Sequence, residues 1–193
     1  MGRKRTIADE DLLDAALDVV RAGGPDALTF AAVAARAGLA ASTIVQRFGT
    51  KAGLLRAALS RAWDHLDAAT ATAVADAAPG PGGVIDLLVA LSGQYGVDDD
   101  FADQLLLLRE DLRDPVLRAR GEAWLAVLTG AVEQRLGDAP GGAGGLGDLV
   151  VAQWQGTLTV WGFLRHSPLG GAVRAALEDL IARLGLDPMD RGP

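Results

Sequence analysis

The chain has no cysteine, one tyrosine and only two lysines, Lys4 and Lys51. The missing thiols exclude disulfides, thiolate nucleophiles and Cys-ligated zinc, and they fit a reducing, cytoplasmic setting. Aromatic residues make up 5% of the chain, and β-branched residues are sparse beside Ala, Leu, Arg and Glu. That balance argues for helix over strand. The positive N-terminus, MGRKR, is not followed by an apolar signal core, because acids arrive by Asp9. Long hydrophobic runs are also lacking. The uncharged stretch Leu149–Leu164 has 16 residues and includes two Gln, two Thr and two Gly. It is too short and too polar to span a bilayer comfortably, so no membrane partner is expected.

What is present is enough for a real core: 193 residues, half of them hydrophobic, in one long domain or a small one fused to a medium one. The net charge of −7 is unevenly spread. Residues 1–65 hold nine Lys/Arg against seven Asp/Glu, and residues 66–193 hold nine against eighteen. The window Ala27–Trp63 contains Arg36, Arg47, Lys51, Arg56 and Arg61 and no acid. A local field of that sign, rather than the total charge, decides whether a polyanion can dock.

Helical periodicity and stop signals divide the chain into about nine helices with no convincing strand. The first, Asp9–Ala22, carries three acids in its opening turn and ends at Gly23–Gly24–Pro25. Thr29 is placed as an N-cap, with Leu28 and Val33 as a hydrophobic staple, and the second helix runs to about Ala37. Gly38 breaks it. Ala41–Arg47 forms a third helix closed by Gly49, and Thr50 caps a fourth from Lys51 to about Ala77. Pro79–Gly83 is expected as a break. Helices follow over Val84–Gln94, Phe101–Asp111, Pro115–Leu136, Asp148–His166 and Ala172–Leu184, with a loop over Gly137–Gly147.

Residues 28–48, LTFAAVAARAGLAASTIVQRF, have the layout of a helix-turn-helix: two short helices around a tight glycine turn. Ala31, Val33, Ala34, Ala37, Leu39, Ile44 and Phe48 are expected inside. Ala40, Ala41, Ser42, Thr43, Gln46 and Arg47 are expected outside, where hydroxyls, amides and a guanidinium can meet DNA. Thr29 and Lys51 stand at helix starts, whose N–H groups attract phosphate. Arg3, Lys4 and Arg5 read either as an arm reaching a minor groove or backbone, or as a solubilising terminus.

The segment AARAGLAASTIVQRFGTKAGLLRAAL resembles the TetR-type DNA-binding domain, with its A-x-x-A-G-V, short recognition helix and F-x-x-K-x-x-L. Ala34, Ala37, Gly38, Leu39, Thr43, Phe48, Lys51 and Leu54 carry the match, over roughly residues 7–60. One departure stands out: Val45 occupies the place of a usual phosphate-contacting tyrosine, with Arg47 as a candidate substitute. The resemblance implies an all-α protein, with a three-helix head over residues 1–50 and a helical bundle over 51–193 for ligand binding and dimerisation. It further implies that an effector, by binding, changes the spacing of the two heads in a dimer. The expected partners are thus a palindromic double-stranded operator, a second copy of the chain and a small effector; no cofactor, metal or enzymatic activity is expected.

Two groups of bundle residues extend this reading. Leu91, Gln94, Tyr95, Leu105, Leu108, Arg109, Trp124, Leu128 and Trp154 set apolar and aromatic groups beside lone polar ones, as a ligand cavity requires. For any one of them, packing alone is the plainer explanation. The helix over Asp148–His166 is apolar nearly all round, with Ala152 and Gly156 as a small-residue strip, and Val173, Leu177, Leu180, Ile181 and Leu184 make a seam on the last helix. Such helices must be buried on every side, which suggests a two-fold, four-helix dimer interface.

Other patterns carry less. Gly142–Gly147 fits G-x-G-x-x-G, but no strand precedes it and no acid lies between Leu149 and Leu177 to bind a ribose. Asp98–Asp100 with Asp103 lacks calcium-loop spacing and suits helix capping. His65 and His166 lack the Glu three residues earlier that a di-iron bundle needs. The rival readings are an architectural DNA binder without an effector, and a helical-bundle enzyme or carrier.

Overall fold

A computed structural model describes residues 7–93, 100–137 and 145–186. Among these residues the chain is all helix, in nine segments and with no strand: α1 (Asp9–Ala27), α2 (Phe30–Ala37), α3 (Ala41–Phe48), α4 (Lys51–Asp76), α5 (Gly80–Ser92), α6 (Asp100–Arg113), α7 (Pro115–Gly137), α8 (Leu146–Leu164) and α9 (Leu169–Arg183). The chain divides into two compact units. One comprises Met1–Leu66 with Ala102–Gly121, the other Asp67–Phe101 with Glu122–Pro193.

The first unit, the head, is built on an aliphatic core of Leu12, Ala16, Leu17, Val20, Leu28, Val33, Ala34, Ile44, Leu54 and Ala58. The predicted stop after Ala22 is present as a kink inside α1: Gly24 has φ 71°, a left-handed conformation open to glycine, and Pro25 follows. Thr29 caps α2 as expected, its Oγ1 accepting from the Ala32 N–H at 3.0 Å. Gly38 closes α2 with φ 67°, and the Leu39 N–H reaches back to the Ala34 carbonyl at 3.0 Å. Thr50 Oγ1 accepts from the Gly53 N–H at 3.0 Å at the start of α4.

The head is larger than residues 1–50. The first turns of α4 deliver Leu54 and Ala58 to its core, and Leu107 of α6 packs against the same cluster. One expected inner residue is misplaced: Ala31 is exposed, because the inward side of a two-turn helix is already filled by Val33 and Ala34.

In the second unit, the bundle, α5 begins at Gly80, inside the expected Pro79–Gly83 break. Proline is tolerated in a first helical turn, where its missing N–H would have no partner anyway. α9 packs on both α5 and α8. α8 stops at Leu164, two residues before His166, since Arg165 turns left-handed at φ 44°. The bundle's buried hydroxyls and indoles are paired. Trp124 Nε1 donates to Thr70 Oγ1 and Trp154 Nε1 to Ser92 Oγ, each at 2.8 Å, while Ser92 Oγ donates to the Leu88 carbonyl at 2.6 Å. No helix among the described residues is long and apolar enough to cross a membrane.

Candidate nucleic-acid interface

The faces of α3 are set by its core contacts. Ile44 is fully buried, and Ala41 and Phe48 pack partly against the core cluster. Side chains on the opposite face must therefore point to solvent, and Ser42, Val45 and Gln46 do. Ala40 is exposed and Thr43 half-buried. Ala41 thus belongs to the inner face and not the outer one, a correction that follows from its position three residues before Ile44. Ala40 gives α3 no side-chain cap, and the Thr43 N–H is met by the Ala40 carbonyl at 3.0 Å instead.

The charge pattern departs from the sequence. The acid-free window is acid-free only along the chain. Arg36 donates to Asp18 at 2.9 and 2.6 Å, Arg61 grips Asp14 at 3.0 and 3.3 Å, and Arg56 pairs with Asp114. Arg47, expected to face outward, is instead turned back: its Nη1 donates to the Ile7 carbonyl at 2.9 Å and to Asp9 Oδ1 at 2.8 Å. Lys51 Nζ donates to the Asp26 carbonyl at 3.1 Å, satisfying a group near the end of α1. Acids from α1 and from the α6–α7 junction thus meet four of the window's five cations. The outer surface of α3 is one of hydroxyl, amide and a small apolar group rather than a basic patch.

Residues 12–58 match the family model of bacterial regulatory proteins, tetR family. The matched segment takes in the helix-turn-helix and the start of α4. Over that segment the chain is similar to TetR-type transcriptional regulators, with the helix-turn-helix at its N-terminus. No curated protein matches it significantly in sequence. Solved structures share the fold along most of the chain. A TetR-family member from Streptomyces coelicolor is 24% identical, covers 91% of this chain and 96% of its own, and has a TM-score of 0.64. The regulator FadR from Bacillus subtilis, in complex with stearoyl-CoA, is 18% identical over 91% and 98%, with a TM-score of 0.67. The multidrug binding protein EbrR, complexed with imidazole, is 22% identical over 97% and 100%, with a TM-score of 0.66.

The residues of the expected ligand lining fall in both compact units. Leu91, Trp124, Leu128 and Trp154 are buried in the bundle, with the two indole rings 6.3 Å apart. Leu105, Leu108 and Arg109 belong to the head's segment of α6 and are exposed, and Arg109 pairs with its neighbour Glu110. Gln94 and Tyr95 lie outside the described residues, as do Arg3, Lys4 and Arg5. Asp98 and Asp99 are also outside them, and so is half of the Gly142–Gly147 motif. The bundle has an open groove of about 420 Å³ lined by Leu125, Ala126, Thr129, Gly130, Glu133, Gly145 and Asp148. Both Glu133 oxygens accept backbone N–H bonds from Gly145 and Gly147, which holds its carboxyl below the usual range. Sequence reasoning missed this groove, because a wall of α7 closed by a glycine turn has no linear signature.

The expected dimer seam also changes. Val173, Leu177 and Ile181 are fully buried within the chain and Leu180 and Leu184 half-buried, so this side of α9 serves the chain's own core. α8 keeps an open stripe that includes the exposed Ala152 and Gly156. Leu149, Val160 and Phe163 continue it, Phe163 being 86% exposed. The all-round apolarity of this helix was the signal for those three. Among the described residues, no cluster of three or more His, Asp or Glu forms a metal site.

Proposed function

We propose that this regulator is a homodimeric repressor that places α3 in the major groove of a near-palindromic operator and leaves it when a small, largely hydrophobic effector binds. The observation that carries the reading is the outward face of α3, with Ser42 and Gln46 exposed and Thr43 beside them on a helix whose other face is locked into the head's core. Hydroxyls and a carboxamide at that position suit base edges and phosphates. Ala40 flanks them at the helix start. Thr29 and Lys51 hold phosphate: the Thr29 hydroxyl, already an acceptor in its cap, retains its proton to donate.

Support for a dimer comes from α8. Leu149, Gln153, Gly156, Val160 and Phe163 alternate four and three residues apart, the spacing of a helix–helix seam. Two identical heads related by a two-fold axis would read two half-sites of one palindrome. Support for an effector comes from the α7 groove, whose volume falls in the range of small-molecule sites, and from FadR and EbrR, whose structures hold stearoyl-CoA and imidazole. Release from DNA needs only an effector that prefers the state with badly spaced heads. The setting is cytoplasmic. The closed indole pair of the bundle core favours a second reading, a DNA binder with no effector.

The test is selection of duplexes from a random library by the purified protein, with light scattering of the same sample. An enriched near-palindrome bound by a dimer is expected. Absence of enrichment, or a monomeric mass at micromolar concentration, would refute the proposal. A hydrophobic-ligand screen read by melting temperature separates the two readings.

A further inference from the structure

We infer that the α7 groove takes an amphiphilic organic cation, its charged head beside Glu133 and Asp148 and its apolar body along Leu125, Ala126 and Gly130. The inference rests on the effector reading above and names the class of ligand for that site. The groove, of about 420 Å³, lies wholly within the bundle unit. Its α7 wall is mostly small or apolar: Leu125 is 42% exposed, and Ala126 and Gly130 are exposed beside it. Glu133 stands on the same side of α7, two turns from Leu125 and Ala126, because residues three or four apart share a helix face. The lining holds two formal charges, Glu133 and Asp148, and both are negative.

Neither charge meets a cation among the described residues. Glu133 is fixed by N–H groups instead: its oxygens accept from Gly145 and, at 2.6 Å, from Gly147, which keeps the carboxyl ionised. Each oxygen retains a lone pair for a further donor. Asp148 is exposed in the first turn of α8, and no Lys or Arg among the described residues pairs with it. The N-terminus of α8 attracts both carboxylates, but a helix end is equivalent to only about half a positive charge. Most of the two negative charges is therefore left beside an apolar wall. Residues 66–193, to which the groove belongs, hold nine Lys/Arg against eighteen Asp/Glu, so the surrounding field has the same sign. It repels an anionic amphiphile and draws in a cation. A bare divalent metal ion leaves the apolar wall unused. It also needs about six oxygens, and no cluster of three or more His, Asp or Glu occurs among the described residues.

The experiment is calorimetric titration of the full chain with three probes: the cation tetraphenylphosphonium, the anion tetraphenylborate of nearly the same shape, and neutral triphenylphosphine oxide. Tetraphenylphosphonium is expected to bind saturably, more tightly than the neutral oxide and about tenfold or more tighter than the anion. Asp148→Asn should weaken it about two- to fivefold at low salt and leave the neutral oxide unaffected, and the loss should shrink as salt screens the charge. Gly130→Leu should abolish tetraphenylphosphonium binding by filling the groove. A Cβ at Gly130 meets nothing within 4 Å, so the variant should fold, which its melting curve checks; Asp148→Asn decides the matter if it does not. A wild type that does not bind tetraphenylphosphonium, or binds it no better than tetraphenylborate, would overturn the inference. So would cation binding that survives Gly130→Leu unchanged. Neutral oxide bound as tightly as the cation, and lost in Gly130→Leu, would overturn the charge preference while leaving the hydrophobic-effector reading in place. Cation binding in the groove that fails to release the enriched duplex would overturn the effector reading and leave the ligand class standing.

Discussion

The head and the bundle are stabilised by different means. In the head, the buried core is aliphatic, and most polar links between helices are ion pairs near the surface: Arg36 to Asp18, Arg47 to Asp9, Arg61 to Asp14, Arg56 to Asp114. In the bundle, Arg174 pairs with Asp86 at the surface, but other polar links run through the interior. Two indoles are held by Thr70 and Ser92, and Arg135 reaches the carbonyls of Ala131 and Ala77 at 2.9 and 3.3 Å. Exposed ion pairs are screened by salt and individually weak, whereas buried hydrogen bonds keep their strength. The head's shape should therefore respond to pH and ionic strength more than the bundle's. For a domain that meets a polyanion, charges committed within the protein also restrict which groups are left to contact DNA.

The largest test of this contrast is Trp154→Ala. It empties a fully buried indole site and strips Ser92 of a partner, so the loss should be about 3–5 kcal/mol by denaturant unfolding, nearly unchanged at high salt. Trp124→Phe keeps most of the volume but leaves Thr70 Oγ1 buried without its donor. A loss of about 1–3 kcal/mol is expected, and a neutral result would show that the hydroxyl finds another partner.

A smaller effect, of opposite sign, belongs to the head. Burial raises the carboxyl of Asp111 to about 6, with Asp114 and Glu110 adding to the rise and the Trp63 N–H opposing it. Between the ordinary carboxylate value and about 6 the folded chain holds a proton that the unfolded chain has lost. Stability due to Asp111 therefore falls as pH rises through that window. Asp111→Asn should remove this slope and stabilise the protein above pH 6 by about 1 kcal/mol, after discounting for partial solvent screening. Asp14 works the other way. The Arg61 hydrogen bond lowers its carboxyl, so its contribution is present above the usual carboxylate range and is lost as pH falls. Smallest of all, Arg36→Ala should cost under about 1 kcal/mol, and the cost should shrink in high salt. A salt-insensitive loss would break the contrast.

What could be read from the sequence follows the range of the interactions. The helix-turn-helix was legible because its determinants are local: the Thr29 cap, Gly38 in a left-handed turn, and Ile44 and Phe48 spaced to face inward. The kink at Gly23–Gly24–Pro25 and the Thr50 cap were legible for the same reason. Partners far apart in the chain were not. Nothing near Arg47 announces Asp9, and nothing near Arg56 announces Asp114, so the acid-free window appeared more basic than the folded head is. For the ligand lining, likewise, helical spacing identified apolar residues on α6 and α7 but not which compact unit each joins. On α9 the apolar seam was real, but periodicity cannot distinguish a chain's own core from a partner's.

The central claim is that the neutral polar face of α3, rather than a basic patch, reads DNA. It is tested most directly by measuring Gln46→Ala on the enriched and scrambled duplexes at one salt concentration. Loss of about 1–3 kcal/mol on the enriched duplex alone is expected, with scrambled binding unchanged. Equal weakening on both duplexes, or wild-type behaviour on the enriched one, would contradict the claim.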